Sequence, residues 1–212
     1  MLKYCISILF LLSIAQTTFA EESDFVLILG PSGTGKSTII RHLKEMDSRF
    51  VYVTPLTTRS LRLGETDKIH VSLESMKELE KAGKLLVINQ FYGNYYATPK
   101  YIIDDALEAN NFPILDWPVE KMELMNQNYE GRLFTVYLQP ESLEELQIRL
   151  SQDGRDKDGK RFEAGKMELE DFFAGKYDDF IDLKLINYSG KDKEVAELIY
   201  QELMNMSPVY KK

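Results

Sequence analysis

The stretch Gly30-Pro31-Ser32-Gly33-Thr34-Gly35-Lys36-Ser37 fits the pattern G-x-x-x-x-G-K-[ST] at every fixed position. The apolar run Phe25-Val26-Leu27-Ile28-Leu29 precedes it and predicts a buried parallel strand. Residues 38–43 follow it with apolar side chains at helical spacing. Strand, glycine-rich loop and helix is the order that this motif requires, so the segment predicts a nucleotide-binding P-loop.

The P-loop prediction gives each residue type a chemical task. The backbone N–H groups of such a loop can surround phosphates, and the N-terminus of the following helix adds a positive dipole. Lys36 is expected to reach the β- and γ-phosphates of ATP, and the Ser37 hydroxyl to ligate Mg²⁺. The predicted ATP and Mg²⁺ site therefore contains Gly30, Ser32, Gly33, Thr34, Gly35, Lys36, Ser37 and Thr38.

The size and charge of the chain narrow the class of protein. Its 212 residues are enough for one domain with a full α/β core. The formal net charge of −8 argues against a nucleic-acid partner, which would need a basic face. We therefore expect a small-molecule partner. The oligomeric state is not predicted.

Residues 1–20 differ from the rest of the chain. Lys3 precedes an apolar run over residues 5–15, and Thr18-Phe19-Ala20 resembles a signal-peptidase site. The run is too short to predict a stable membrane span. We expect residues 1–20 to form a signal-peptide-like leader and residues 21–212 the folded domain. Localisation stays open: the protein is exported if the leader acts, anchored if it is not cleaved, and cytoplasmic if Met1 is a misassigned start.

The rest of the chain alternates between strand and helix patterns. This alternation predicts an α/β fold of three layers, a parallel sheet flanked by helices, with ligands at the carboxyl ends of its strands. Two polar segments, residues 54–72 and 152–161, are expected to be exposed loops, either mobile over a phosphate site or simple solvated connections. The predicted strands are residues 25–29, 85–88, 112–115, 133–138 and 183–186; the predicted helices are residues 36–46, 73–82, 101–109, 141–150, 162–173 and 191–204.

Several segments together resemble the guanylate kinase family. Residues 57–65, TTRSLRLGE, resemble its T-T-R-x-x-R-x-G-E segment, and residues 93–98, GNYYAT, resemble its G-N-Y-Y-G-[TS] segment. Ile114-Leu115-Asp116 matches the start of its I-L-D-x-D strand. Residues 142–150 and 161–168 are similar to the helices on either side of its lid. The resemblance is colinear from about residue 25 to residue 203 and implies a P-loop kinase domain with a lid and a small acceptor-binding region.

The resemblance also implies roles for individual residues. Two arginines three positions apart suit a phosphate, because each guanidinium presents several donors in a plane. The implied set is Arg59, Arg62 and Tyr96 on the acceptor phosphate, Thr98 at the acceptor base, Arg155 and Arg161 as lid arginines at the transferring phosphoryl group, Asp116 on Mg²⁺ through water, and Asn187 near adenine.

The departures from the family pattern concentrate where guanine would bind. Val87 and Pro118 stand where the family carries base-reading carboxylates, Pro55 replaces a serine, and the loop after Glu65 is shorter and lacks a tyrosine. Guanine's N1–H and N2–H₂ donors need acceptors, and leaving one unpaired costs about 1–3 kcal/mol. The guanine pocket is therefore predicted to be diverged.

Three interpretations of the function stay open. The first is a kinase that phosphorylates a nucleoside monophosphate, GMP being the family default. The second is a sugar-phosphate kinase similar to ribose 1,5-bisphosphate phosphokinases. The third is a non-catalytic guanylate-kinase-like binding domain, against which the intact Lys36 and Ser37 argue. Trp117 is expected either to stack on the acceptor ring or to belong to the core.

Overall fold

The computed structural model describes residues 24–61, 63–91, 93–154, 156 and 158–206. The predicted leader, Arg62 and Arg155 lie outside these residues. The strands are β1 (Phe25–Leu29), β2 (Phe50–Tyr52), β3 (Leu56–Thr57), β4 (Ile69–His70), β5 (Leu85–Phe91), β6 (Asn94–Pro99), β7 (Phe112–Asp116), β8 (Leu133–Pro140) and β9 (Leu183–Asn187). The helices are α1 (Lys36–Met46), α2 (Leu73–Lys81), α3 (Lys100–Glu108), α4 (Met122–Tyr129), α5 (Leu143–Asp153), α6 (Lys160–Phe173) and α7 (Asp192–Met206), with 3-10 turns at Val119–Lys121 and Asp178–Phe180.

A five-stranded parallel sheet forms the centre of the molecule, in the order β2-β7-β1-β8-β9. Every residue of β1 is buried, because helices cover both faces of the sheet. Val26 and Ile28 pack with α1 and α7, whereas Phe25, Leu27 and Leu29 pack with α3, α4, α5 and α6. The predicted three-layer α/β fold is confirmed.

A second sheet of four strands, in the order β4-β3-β6-β5, stands beside the first. β6 pairs antiparallel with both β3 and β5, and α2 covers one face through Leu56, Met76 and Ala97. The predicted strand at residues 85–88 belongs here and not to the parallel sheet. The reason is that β5 turns back at Gly93 into β6 as a hairpin, without a crossover helix.

The structure differs from the sequence predictions at three places and decides one alternative that the sequence left open. Residues 54–72 are not only loop, because they include β3, where Thr57 is buried, and the short strand β4. Helix α4 was not expected from the sequence, and α5 begins later than predicted because the Ser142 hydroxyl accepts a hydrogen bond from Glu145 N and caps it. Trp117 belongs to the core: it is 5% exposed and its Nε1 donates to Lys121 O at 3.1 Å.

None of the helices within the described residues is both long and apolar enough to cross a membrane.

The end of β1 requires a glycine, and substitution there tests how closely the strands approach. Gly30 has φ +120°, and a Cβ there would lie 2.3 Å from the carbonyl oxygen of Leu138 on β8. We expect Gly30→Ala to lower the free energy of unfolding by roughly 2–5 kcal/mol, since both backbone strain and overpacking oppose it. Urea denaturation followed by circular dichroism measures the loss.

Gly190→Ala is the matched control for this substitution. Gly190 also has a positive φ of +75°, but a Cβ there would meet no described atom within 4 Å. Its substitution should therefore cost only the conformational strain, about 1–2 kcal/mol. Equal losses in the two variants would contradict the close approach of Gly30 to β8.

Candidate functional site

The P-loop connects the carboxyl end of β1 to the N-terminus of α1. Gly35 is the N-cap of α1, with φ +94°, so the capping residue places no side chain over the first N–H groups of the helix. The first turn of α1 contains no acidic residue. These exposed amide donors and the helix dipole together make a site for an anion.

Lys36 lies inside the loop that precedes it. Its Nζ donates to the carbonyl oxygens of Gly30 at 2.5 Å and Pro31 at 2.8 Å. Burial lowers the pKa of Lys36, against the opposing influence of the carboxylates of Asp116 and Glu168. The ammonium group is thus fixed by the loop backbone and faced by two acidic side chains.

Asn187 supports the P-loop from the end of β9. Its Nδ2 donates to Thr34 O and to Asp192 Oδ1, both at 2.9 Å, and its side chain is fully buried. A Cβ on Gly35 would lie 2.5 Å from the same nitrogen. Its Oδ1 is buried without a hydrogen-bond partner among the described residues. The structure therefore gives Asn187 a supporting contact behind the loop, and its contact with adenine stays a prediction.

A cavity of about 1060 Å³ opens in front of the P-loop. Ser37 is exposed there, and Asp116 is exposed at the carboxyl end of β7, where it accepts a hydrogen bond from Tyr52 Oη at 3.3 Å. Hydroxyl and carboxylate oxygens are the ligands that Mg²⁺ prefers, so this donor set fits the predicted metal. The predicted site residues that line the cavity are Ser32, Gly33, Gly35, Lys36, Ser37, Thr38, Asp116 and Arg161.

Arg161 extends from the start of α6 toward the P-loop. Its guanidinium Nη2 donates to Ser32 Oγ. The Asp156 carboxylate accepts hydrogen bonds from the backbone nitrogens of Arg161 at 2.8 Å and Phe162 at 3.0 Å, which fixes the first turn of the helix. The predicted lid arginine that the structure describes thus lies against the phosphate-binding loop.

A smaller cavity of about 440 Å³ contains Arg59 and Tyr96. Glu65 fixes the Arg59 guanidinium, which donates from Nη2 to Oε1 at 2.5 Å and to Oε2 at 2.8 Å. Thr98 is buried on β6, two residues beyond Tyr96, and so lies on the same face of the small sheet. The structure brings those residues predicted for the acceptor site that it describes to one face of the small sheet, outside the P-loop.

Lys68 and Arg149 also contribute to these cavities, although the sequence pattern did not single them out. Lys68 lines both cavities, and its Nζ lies 2.9 Å from Asp67 Oδ2 and 3.7 Å from Glu65 Oε1. Arg149 lines the larger cavity and donates to Asn187 O at 3.0 Å. Lys68 falls in the shortened loop, where the resemblance offers no template, whereas Arg149 lies within the quoted lid-helix segment.

The family comparison agrees with this geometry. A family model described as guanylate kinase matches residues 22–196. The chain belongs to the guanylate kinase family. It is accordingly a P-loop kinase, a phosphotransferase of guanylate kinase type.

Curated relatives support the same assignment, and a solved structure shares the fold. The guanylate kinase of Desulfitobacterium hafniense is 31% identical over 166 residues, which cover 74% of this chain and 82% of that protein. That of Clostridioides difficile is 29% identical over 182 residues, 83% of this chain and 87% of that protein. The crystal structure of guanylate kinase from Anaplasma phagocytophilum shares the fold, with a TM-score of 0.64 at 20% identity over 89% of this chain and 88% of that chain.

Glu168 is a half-buried carboxyl group near the P-loop lysine of this kinase. It lies on α6 and accepts a hydrogen bond from Tyr137 Oη at 3.1 Å. Burial raises the pKa of Glu168 to about 6, although Lys36 and the Tyr137 hydroxyl oppose the shift. The carboxyl group therefore titrates close to neutral pH in the folded state.

This raised pKa predicts how stability depends on pH. The folded state binds the Glu168 proton more tightly than the unfolded state, so the contribution of Glu168 to the stability of the wild-type kinase should be lost as pH rises from about 4.5 through about 6. Glu168→Gln keeps an oxygen for Tyr137 and lacks the charge. Between acidic pH and about pH 7, its unfolding free energy should gain about 2 kcal/mol relative to the wild type.

Urea denaturation across this pH range measures the difference. Glu163→Gln, on the exposed face of the same helix, is the control and should change the pH profile little. A Glu168→Gln difference that stays constant with pH would show that the carboxyl group does not titrate in this range.

Proposed function

We propose that this kinase transfers the γ-phosphate of Mg·ATP to a small acceptor that itself carries a phosphate. The observation that supports this is the junction of the two cavities at Lys68. Lys36 and Arg161 belong to the larger cavity, and Arg59 belongs to the smaller one. A donor phosphate chain and an acceptor phosphate could therefore lie end to end between fixed cationic groups.

The donor side would work by positioning and by charge. The amides at the start of α1 and the Lys36 ammonium would bind the phosphates of ATP, and Arg161 would offset charge on the transferring group. Ser37 and Asp116 would hold Mg²⁺, which when bound neutralises phosphate charge. Phosphoryl transfer in line requires no covalent nucleophile on the protein.

The acceptor side would work by orientation. The Arg59 guanidinium, fixed by Glu65 and by the Ser60 carbonyl, would face the acceptor phosphate, with the hydroxyl of Tyr96, to which Arg59 is hydrogen-bonded, in the same cavity. Arg62 belongs to the same proposal but lies outside the described residues. Fixing the acceptor in this way would align its terminal oxygen with the γ-phosphate.

The acceptor itself could belong to one of two chemical classes, a nucleoside monophosphate or a sugar phosphate. The names of the relatives favour a nucleoside monophosphate, with GMP first. Val87 and Pro118 favour a changed acceptor such as ribose 1,5-bisphosphate, because neither side chain can accept a hydrogen bond from guanine. A purely binding function is the remaining alternative, and the intact Lys36, Ser37 and Asp116 weigh against it.

Removing the P-loop ammonium tests the proposed chemistry. Lys36→Ala should reduce acceptor-dependent ADP release by at least roughly 10²- to 10³-fold, because the transition state loses a fixed positive charge. The assay uses Mg·ATP with guanosine, adenosine and uridine monophosphates and ribose 1,5-bisphosphate as separate acceptors. Lys77→Ala, on the exposed face of α2, is the control and should keep wild-type activity. Full activity in Lys36→Ala would overturn the mechanism.

Restoring the two carboxylates tests the proposed position of the base. Val87→Glu combined with Pro118→Asp should lower the KM for GMP relative to that for ribose 1,5-bisphosphate, because guanine's donors regain acceptors. Each single variant serves as a control for local disruption. An unchanged ratio in a folded double variant would show that the base does not lie between these positions.

A further inference from the structure

The face of the small sheet that carries Tyr96 also carries Asn89. Thr57 on β3 and Asn89 on β5 both pair directly with Tyr96 on β6, so these three residues form one row across the sheet. Val87 pairs with Thr98 in the next row of the same face. Because Tyr96 lines the cavity of Arg59, Asn89 lies on the acceptor side of the sheet.

Lys121 reaches this face from the parallel sheet. It ends the 3-10 turn that follows Asp116, and its carbonyl oxygen is fixed by the indole Nε1 of the buried Trp117. Its Nζ lies 2.6 Å from Asn89 Oδ1. The contact therefore joins the carboxyl end of β7, beside the phosphoryl-transfer site, to the row that contains Tyr96.

The Lys121–Asn89 pair presents hydrogen-bond donors. An ammonium group has three N–H donors and no acceptor, and Lys121 occupies one of the two lone pairs of the Asn89 oxygen, so the pair presents mainly donors. The neighbouring side chains of Val87 and Pro118 accept nothing. The adjacent carboxylate of Glu120 acts electrostatically on Glu168, Tyr137 and Tyr177, which places it toward α6.

From this arrangement we propose that Lys121 and Asn89 select the acceptor, by binding oxygen atoms at the end remote from its phosphate. Those oxygens would belong to a second phosphate or to the carbonyl edge of a pyrimidine ring. The N1–H and N2–H₂ donors of guanine would face donors instead of acceptors, so guanine could use the pair only through its O6. The inference deepens the proposed function and rests on it.

Steady-state kinetics with Lys121→Met tests this selection. The variant keeps the length of the side chain and removes its charge and donors. The KM for ribose 1,5-bisphosphate or for uridine monophosphate should rise roughly 10- to 100-fold, because a charge-assisted hydrogen bond is lost. The KM for guanosine monophosphate should rise less, and the KM for ATP should stay within about twofold. A rise in KM for ribose 1,5-bisphosphate would indicate that the pair binds a second phosphate. A rise for uridine monophosphate would indicate that it binds the ring carbonyls.

Three further variants separate binding from folding. Lys121→Gln retains donors and should give a smaller rise in KM, and Asn89→Ala should change the same acceptors as Lys121→Met. Lys176→Met is the matched control, since Lys176 is an exposed lysine paired with Asp171 after α6. Thermal melting confirms that each variant is folded.

A direct measurement of acceptor binding tests the selection by Lys121 and Asn89 separately from the proposed catalysis. Trp117 is the chain's only tryptophan and contacts Lys121, so its fluorescence can follow titration with each acceptor. The wild type could release no ADP with any acceptor and still bind ribose 1,5-bisphosphate or uridine monophosphate in a way that depends on Lys121. That result would refute the proposed catalysis but would support the selection by Lys121 and Asn89.

Two outcomes would overturn the selection itself. In the first, folded Lys121→Met weakens all acceptors and ATP alike. In the second, it changes neither KM nor the fluorescence titrations. Either result would show that the Lys121–Asn89 contact only connects the two sheets and does not bind the acceptor.

Discussion

The hydrogen bond from Asn187 Nδ2 to Thr34 O is the constraint on which the geometry of the site depends. It joins the phosphate-binding loop to the end of β9, the strand at the far edge of the parallel sheet. Gly35 can approach this amide only because it has no Cβ, and Gly30 passes the carbonyl of Leu138 for the same reason. One side of the P-loop therefore packs against the core of the protein. The amide groups on its other side face the larger cavity.

The electrostatics of the donor side follow from this rigid backbone. The Lys36 ammonium is held by loop carbonyls, and the carboxylates of Asp116 and Glu168 partly offset the cost of its desolvation. Glu168 is half-buried and its pKa is raised to about 6, while Arg161 approaches the same loop from α6. Each of these charges would be destabilising if it were removed from water alone, but opposite charges in the site stabilise one another. Such an arrangement is typical of functional sites.

The sequence predicted the parts of the molecule whose determinants are local. The bounds of β1 and α1 agree with expectation because an uninterrupted apolar run and a glycine-rich motif specify them within one continuous segment, residues 25–46. The antiparallel small sheet was not predicted, since β3 and β6 pair through contacts that no periodicity reveals. Helix α4 was missed for a related reason: its eight residues are helical because Met122 and Met125 pack into the core.

The same distinction between local and long-range determinants separates the two halves of the site. The donor half is a strand, a loop and a helix that follow one another in the sequence. Its residues can therefore be predicted from one continuous segment. The proposed acceptor half is assembled from β3, β5, β6 and the turn after β7, and its contacts join residues that are far apart in the sequence, such as Lys121 and Asn89. Substitutions in that half leave the P-loop untouched. An enzyme of this design can therefore change what it phosphorylates while the means of phosphorylation stay fixed.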